Sequence, residues 1–229
     1  MEHPFMILVA ILETIGLGHF AHAYPHVLYT WLVMVVLIIL AWLAGRNTQM
    51  IPGKMQNVFE VVLDGIEGFQ VDMMGEEGRP YFPLIATIGI YIFISNTMGL
   101  IPGMMSPTSN INTTLSCAIV TFVATHYVGI KCHGLKYVKH FMGPLLPLAP
   151  LMIPIEIISH LARVLSLTLR LFGNIMGEDL VLAILFILFG QYFVPLPMMF
   201  LGLFTSFVQA FIFALLSMLY ISGALEEAH

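Results

Sequence analysis

Long apolar stretches separated by short polar segments are the dominant pattern of the chain. A membrane-spanning helix needs about 20 mostly apolar residues, and residues 27–44, 81–100 and 113–130 each provide such a stretch. Gly45-Arg46-Asn47 closes the first stretch, and Pro102-Gly103 closes the second. The pattern therefore predicts three separate membrane-crossing helices in the first half of the chain.

The second half of the chain has longer apolar segments. Residues 145–189 stay apolar for more than one crossing requires, and residues 198–223 form a last long stretch. An overlong apolar helix is usually accommodated by tilt. We predict a long, tilted helix with a kink near Pro154, which turns back through residues 190–197 and forms a helix hairpin at the C-terminus.

Residues 55–74 have a different pattern, because apolar residues recur at helical spacing while acidic residues occupy the other faces. This is typical of an amphipathic helix on the membrane surface, although a soluble helix packed against a partner protein would look the same. The sequence thus predicts an all-α polytopic protein with one integral membrane domain. This domain would contain five membrane-crossing helices and one amphipathic surface helix.

Composition agrees with this class of protein. The chain is 59% hydrophobic and only 9% charged, with a mean hydropathy of +0.95, whereas soluble domains are roughly 25% charged. Its net charge is -5 and its eight basic residues form no stripe, which excludes nucleic acid as a partner. Two cysteines, Cys117 in a predicted span and Cys132 in a predicted polar loop, give no disulfide framework.

Basic residues indicate the orientation in the membrane. Most of the Lys and Arg residues lie in the connections that follow the first and third spans, while residues 95–112 and 190–197 contain none. Cytoplasmic loops carry an excess of Lys and Arg. We therefore predict that the N-terminus lies outside and the C-terminus in the cytoplasm.

Arg170 lies inside the long apolar segment, where an arginine costs roughly 2.5 to 3.5 kcal/mol on insertion scales. Glu156 and Arg163 precede it at seven-residue spacing, which keeps all three on one helix face with a drift of about 20° per step. His160 and Asn174 extend the same side. The spacing predicts a polar track through the depth of the membrane.

Internal pairing is the alternative explanation of this track. Glu156 could pair with His160 or Arg163, and Arg163 could extend to the membrane interface. Arg170 has no acid three or four residues away, so its partner must lie on another helix or in another chain.

Further polar residues lie within the predicted spans. The adjacent acids Glu178 and Asp179 suggest a hydrated cavity, although acids at a helix end near the lipid surface are an alternative. Gln209 in the last span and Asn96 in the second could bind a guanidinium or water, or could serve only as interhelical hydrogen bonds.

Two motifs carry a family resemblance: Ser166-Leu-Thr-Leu-Arg-Leu-Phe-Gly-Asn174 and Gln209-Ala-Phe-Ile-Phe213. In these motifs and in its five crossings the chain resembles subunit a of the F-type ATP synthase. The resemblance covers residues 50–229 well and the N-terminal region in outline. It implies that Arg170 is the essential stator arginine, with Gln209 as its partner and Asn174 as the polar residue one turn on. It also implies that Glu156 lines the cytoplasmic half-channel together with Ser159 and Ser166. Asn96 and Asp179 would belong to the outer half-channel.

The chain departs from the pattern of some bacterial relatives at two positions. Gly202 stands where those relatives carry a histidine, and Glu178 stands where they carry a glycine. The two positions look like an exchange of one polar group between neighbouring helices. We therefore expect Glu178 and Asp179 together to line the outer half-channel.

By this resemblance the protein is a noncatalytic stator subunit of a bacterial inner membrane. Its two proton half-channels would load and unload carboxylates of the rotating c-ring, and its further partners would be subunit b of the peripheral stalk and membrane lipid. The choice between H⁺ and Na⁺ stays open. The sequence contains no phosphate-binding loop and suggests no cofactor or metal, since Cys132, His133 and His140 lack a fourth ligand nearby.

Two other functions are conceivable for such a chain. An ion-coupled secondary transporter would also place Arg and acids near the midplane, but it predicts internal inverted repeats, and none is visible. A membrane scaffold with internal salt bridges predicts that the loss of Arg170 together with its acid partner would be tolerated.

Overall fold

The computed structural model describes residues 8–9, 13, 18–46, 53–101, 103–134, 149–190 and 193–226. Within these ranges the chain forms α-helices and short 3-10 turns and no strand. The helices are α1 (Gly18–Ala23), α2 (Pro25–Gly45), α3 (Lys54–Met74), α4 (Phe82–Met98), α5 (Ile111–His133), α6 (Ala149–Phe189) and α7 (Pro195–Glu226). Five helical segments are long and apolar enough to cross a membrane. The all-α polytopic fold is confirmed.

Local signals set the ends of α5. The side chain of Asn110 accepts a hydrogen bond of 3.0 Å from the backbone N–H of Asn112, so the helix starts at Ile111. At the other end Gly134 takes a positive φ of 56°, and its N–H donates to the carbonyl of Ile130. The helix therefore extends beyond residues 113–130, and Cys132, which we expected in a loop, lies in its last turn.

The C-terminal hairpin consists of α6 and α7. With 41 residues, α6 is about 60 Å long at 1.5 Å per residue, twice the roughly 30 Å of a bilayer core, so it must cross with a strong tilt. The helix runs unbroken through Pro154, and Gly190, at φ 64°, ends it. The first predicted residues, 145–148, lie outside the described ranges.

Helix α3 packs on the hairpin through its C-terminal part. The ring of Phe69 lies 5.3 Å from that of Phe211 in α7, and Met74 is buried. Toward its N-terminal end Val58 and Val61 are 61% and 65% exposed. This apolar strip leaves both predicted surroundings possible, the membrane surface and a partner protein.

The central core is built from α4, α5, α6 and α7. Ile92, Leu171 and Phe213, from three different helices, are completely buried in one apolar cluster. Helix α6 joins it through Leu167, Leu171 and Ile175, which are four residues apart and share a face. The opposite side of α6 lies uncovered, and Leu165 and Leu169 are each 54% exposed there.

Candidate functional site

Arg170 lies on the uncovered side of α6. Its guanidinium Nη2 donates to the hydroxyl of Ser166 at 3.4 Å, and both side chains are exposed. No acid among the described residues forms an ion pair with it. Beside it Gly173 and Gly177 leave open space, since a Cβ added at either would meet no atom within 4 Å. The structure thus presents an arginine and a shallow groove to something outside the chain.

Gln209 and Asn174 connect α6 and α7 one turn from Arg170. The amide nitrogen of Asn174 donates to Gln209 Oε1 at 2.8 Å, and Gln209 is only 3% exposed. The resemblance implies that Gln209 is a partner of Arg170. In this structure the glutamine bonds Asn174 instead, so it fixes the helix pair next to the arginine.

Glu178 lies two turns beyond Arg170 and is 9% exposed. Thr205 Oγ1 of α7 donates to Glu178 Oε2 at 3.1 Å. A Cβ added at Gly202 would overlap Glu178 Oε1 and lie 2.7 Å from its Cδ. The carboxylate therefore fills the space that a side chain at residue 202 would need, and this geometry supports the predicted exchange of one polar group between the two positions.

Asp179 approaches the segment that follows α4. Its Oδ1 lies 2.9 Å from the Cβ position of Gly99, where Ser106 is equally close. Any larger residue at 99 would displace this carboxylate. The two adjacent acids thus contact different elements, Glu178 facing α7 and Asp179 facing the connection between α4 and α5.

Asn96 belongs to a buried polar network in the same region. Thr108 Oγ1 donates to Asn96 Oδ1 at 2.6 Å and lies 2.7 Å from the hydroxyl of Ser106. Ser106 in turn donates to the carbonyl of Ser95 at 2.9 Å. The network therefore joins α4 to the short helical turn Pro107–Ser109, which also packs against α6.

Three buried polar atoms of this region have no hydrogen-bond partner among the described residues: Ser95 Oγ, Asn96 Nδ2 and Ser206 Oγ. They lie at one level, because α4 and α7 run antiparallel with Phe93 against Phe207 on one side and Leu100 against Gly202 on the other. A buried polar group left unpaired costs about 1–3 kcal/mol, and buried water usually satisfies such groups.

The N-terminal part of α6 carries the second acidic group. Glu156 Oε1 lies 3.3 Å from His160 Nε2, and Ser159 is half-buried nearby. Arg163 stacks its guanidinium over the ring of Tyr220 at 5.3 Å. Of the two internal pairings left open by the sequence, the structure thus has Glu156 with His160, while Arg163 contacts an aromatic ring of α7.

The groups around Glu178 and Glu156 lie on opposite sides of Arg170 along α6. Glu178 is eight residues from Arg170 and Glu156 is fourteen, so at 1.5 Å per residue they lie about 12 Å and about 21 Å from it, in opposite directions along α6. Arg170 therefore lies between one polar group toward the C-terminal end of α6 and another toward its N-terminal end.

Several polar residues of these groups were missed by sequence reasoning: Thr205, Ser106, Thr108 and His126. Thr and Ser are common in membrane helices, where they often bond their own backbone, and their type gives no signal. Thr205 follows Gly202 within one turn, and that proximity could have pointed to it.

Of the conceivable metal ligands, Cys132 and His133 lie in the last turn of α5, and His140 lies outside the described residues. The ring Nε2 of His133 donates to the carbonyl of Ala224 at 3.0 Å. Within the described ranges no group of three or more His, Cys, Asp or Glu side chains is placed to hold a metal ion.

Fold and site together define a polytopic membrane protein in which an exposed arginine, with no acid partner among the described residues, lies between a buried polar group at Glu178 and a half-buried one at Glu156. The family model of the ATP synthase A chain matches residues 27–222. The ATP synthase subunit a of Desulfosudis oleivorans is 59% identical and that of Syntrophobacter fumaroxidans 57%, while subunit a 1 of Pelobacter propionicus is 55% identical; each match covers both chains completely.

The chain belongs to the ATP synthase A chain family. It is an integral membrane protein and a proton-channel stator subunit of the membrane sector of ATP synthase. The alternative of a self-contained secondary transporter does not fit this family.

Proposed function

We propose that the chain, itself noncatalytic, conducts protons between each side of the membrane and the carboxylates of a rotating c-ring. Two offset half-channels do the conducting, and Arg170 separates them. The observation that carries the proposal is the exposed guanidinium of Arg170, which has no acid partner among the described residues and lies between acids on either side along α6. Nucleotide chemistry then belongs to other subunits.

The outer half-channel consists of Asp179, Glu178 and Asn96. Two further residues, Thr205 and Ser206, support this route, because Thr205 bonds the Glu178 carboxylate and Ser206 lies between Glu178 and Gln209. Protons would enter at the acids and pass along hydroxyl groups and water toward Asn174. The two acids share the task, Asp179 at the α4–α5 connection and Glu178 at α7.

The inner half-channel begins at the ring-facing side of α6. Ser166 is bonded to Arg170, Ser159 lies two turns before Ser166, and Glu156 follows at the inner end. These side chains lead away from Arg170 toward the cytoplasmic side. A proton released by a ring carboxylate would leave along them.

Arg170 has a physical task in this scheme. A guanidinium stays protonated in proteins and favours the ionised form of a carboxylate that comes near it. A ring carboxyl group that approaches must therefore release its proton before it passes. The same charge repels a proton in transit, so the half-channels do not connect directly.

The partners follow from the surfaces. The c-ring would lie against the uncovered side of α6, and the exposed strip of α3 is available to subunit b or to lipid. In a bacterial inner membrane the N-terminus would face outward and the C-terminus the cytoplasm. The identity of the coupling ion depends on the ring.

Cross-linking tests the position of the ring. We expect Gly173→Cys, next to Asn174, to form a disulfide with a cysteine placed beside the ring carboxylate, because the position is open and faces away from the other helices. Cys117 and Cys132 are first replaced by alanine. The yield of cross-linked product is measured on gels after mild oxidation of membranes that hold the whole complex.

Val123→Cys is the matched control. Val123 is 58% exposed but lies on α5, away from the α6 groove. It should give less than about a tenth of the yield, since a disulfide forms only when Cα atoms approach within about 7 Å. Equal yields from both positions, or none from Gly173→Cys, would contradict the proposed ring-facing side.

A further inference from the structure

A second group of titratable side chains lies at the inner end, beyond the residues that the half-channel uses. His160 of α6 lies with its Nε2 3.3 Å from Glu156 Oε1. On the other side of His160 lies the ring of His126, from α5. The centroids of the two rings are 4.9 Å apart, and their planes meet at 55°. The order Glu156, His160, His126 thus runs from α6 to the neighbouring helix.

The surroundings of this row are partly apolar and partly open. The ring of Phe122 packs edge-on against His126 at 4.2 Å and against His160 at 6.3 Å. The row borders a cleft between α5, α6 and α7, with His160, Thr121 and Leu167 among its lining residues. The other titratable groups that face it are Arg163 of α6 and Tyr220 of α7, and these two stack on each other.

We infer that His126 and His160 are proton-transfer residues, which form a relay between the inner aqueous side and Glu156. The inference rests on the proposed function and adds a branch to its inner half-channel. Imidazole is suited to this role, because its charge changes between about pH 5 and 8 and its two nitrogens can accept and donate on opposite edges.

A proton would pass along the row in three transfers, from the inner aqueous side to His126, then to His160 and finally to Glu156. In ATP-driven pumping, a hydronium ion at the inner side donates a proton to one nitrogen of His126 and leaves as water. The N–H bond at its other nitrogen breaks as an N–H bond forms on His160. The His160 Nε2–H bond then breaks as the Glu156 Oε1–H bond forms, which leaves both rings neutral and the carboxyl group protonated.

The direction of the side chains separates this relay from the route along the serines. Ser159 and Ser166 lie toward the uncovered side of α6, whereas His160 faces α5 and lines the cleft. The cleft continues to Leu167, within one turn of Arg170. The relay therefore supplies protons from the protein interior to Glu156, at the junction of the two routes.

Chemical rescue tests the relay in the whole complex. We expect His160→Ala and His126→Ala each to lower ATP-driven acidification of inverted membrane vesicles by about tenfold. This is less than the roughly 10²–10⁴-fold that a sole acid–base group contributes, because the route along the serines remains. Added imidazole should restore most of the rate, because each substitution vacates the volume of the ring that it removes. Pyrazole has the same shape but is hardly basic, and it should restore none.

His133→Ala is the matched control, since His133 lies on the same helix and bonds only a backbone carbonyl. It should pump at the normal rate with no response to imidazole. His160→Gln keeps the side-chain volume nearly constant and should still show the loss, which guards against a variant that fails to assemble.

Three outcomes would overturn the relay: normal pumping by His126→Ala and His160→Ala, normal pumping by His160→Gln, or equal rescue by pyrazole, which would mean that the rings only fill space. These outcomes leave the half-channels of the proposed function intact. That function is tested separately, through Arg170.

Discussion

Replacing Arg170 by alanine is expected to abolish coupled ATP synthesis by the whole complex. At about 4 Å and an effective dielectric constant of about 20, two opposite unit charges attract by about 4 kcal/mol, which corresponds to roughly three orders of magnitude in the deprotonation of a ring carboxylate. Without this attraction the ring site keeps its proton as it passes from one half-channel to the other. Synthesis driven by an imposed proton gradient in vesicles measures the effect.

Arg163→Ala provides the comparison. The residue has the same charge, lies on the same helix and belongs to the same seven-residue spacing, but its guanidinium stacks on Tyr220. Exposed cation–π contacts are worth about 0.5–1 kcal/mol, so we expect this variant to keep most of its synthesis. If Arg170→Ala synthesised ATP at the normal rate, or if both variants lost the same fraction, Arg170 would not be the barrier.

The length and apolar character of the segments made the helices predictable. A stretch such as residues 81–100 can satisfy its backbone in a bilayer only as a helix, and the fold class follows from a few such stretches. The ends of the helices depended on single side chains. Asn110, for example, caps α5 three residues before the predicted start, and an asparagine near an apolar run does not by itself specify that role.

The polar track was predicted in part. Seven-residue spacing placed Glu156, Arg163 and Arg170 near one face of α6, but it gave no information on what covers that face at each depth. The neighbouring helices decide this: Tyr220 reaches Arg163 from α7, while nothing described covers Arg170. His126 was missed for the same reason, because its meeting with His160 depends on how α5 packs.

The contact between Glu178 and Gly202 came from another source, the family resemblance. Periodicity within α6 or within α7 cannot relate residues 24 positions apart on two helices. The resemblance suggested an exchange of one polar group, and the overlap between the Glu178 carboxylate and a Cβ at residue 202 explains why a large side chain at both positions would not fit.

Gly202→His is expected to remove most ATP-driven proton pumping, because the imidazole would overlap the Glu178 carboxylate and approach Leu100. Overpacking of this kind costs about 1–3 kcal/mol, and here it also displaces a group of the outer half-channel. Glu178→Gly in the same chain vacates that space. We expect the double variant to recover pumping to within a few-fold of the original protein, as measured by vesicle acidification.

The single variant Glu178→Gly completes the cycle. It keeps Asp179 but loses the group bonded to Thr205, so it should pump more slowly than the double variant, in which the histidine restores a polar group at the same place. Residues in contact show coupling energies of about 0.5–3 kcal/mol in such cycles. A double variant no faster than Gly202→His alone would mean that the location of the polar group matters as much as its presence. Recovery would mean that either helix can supply it, because the proton needs a titratable group in that volume and not a particular backbone to carry it.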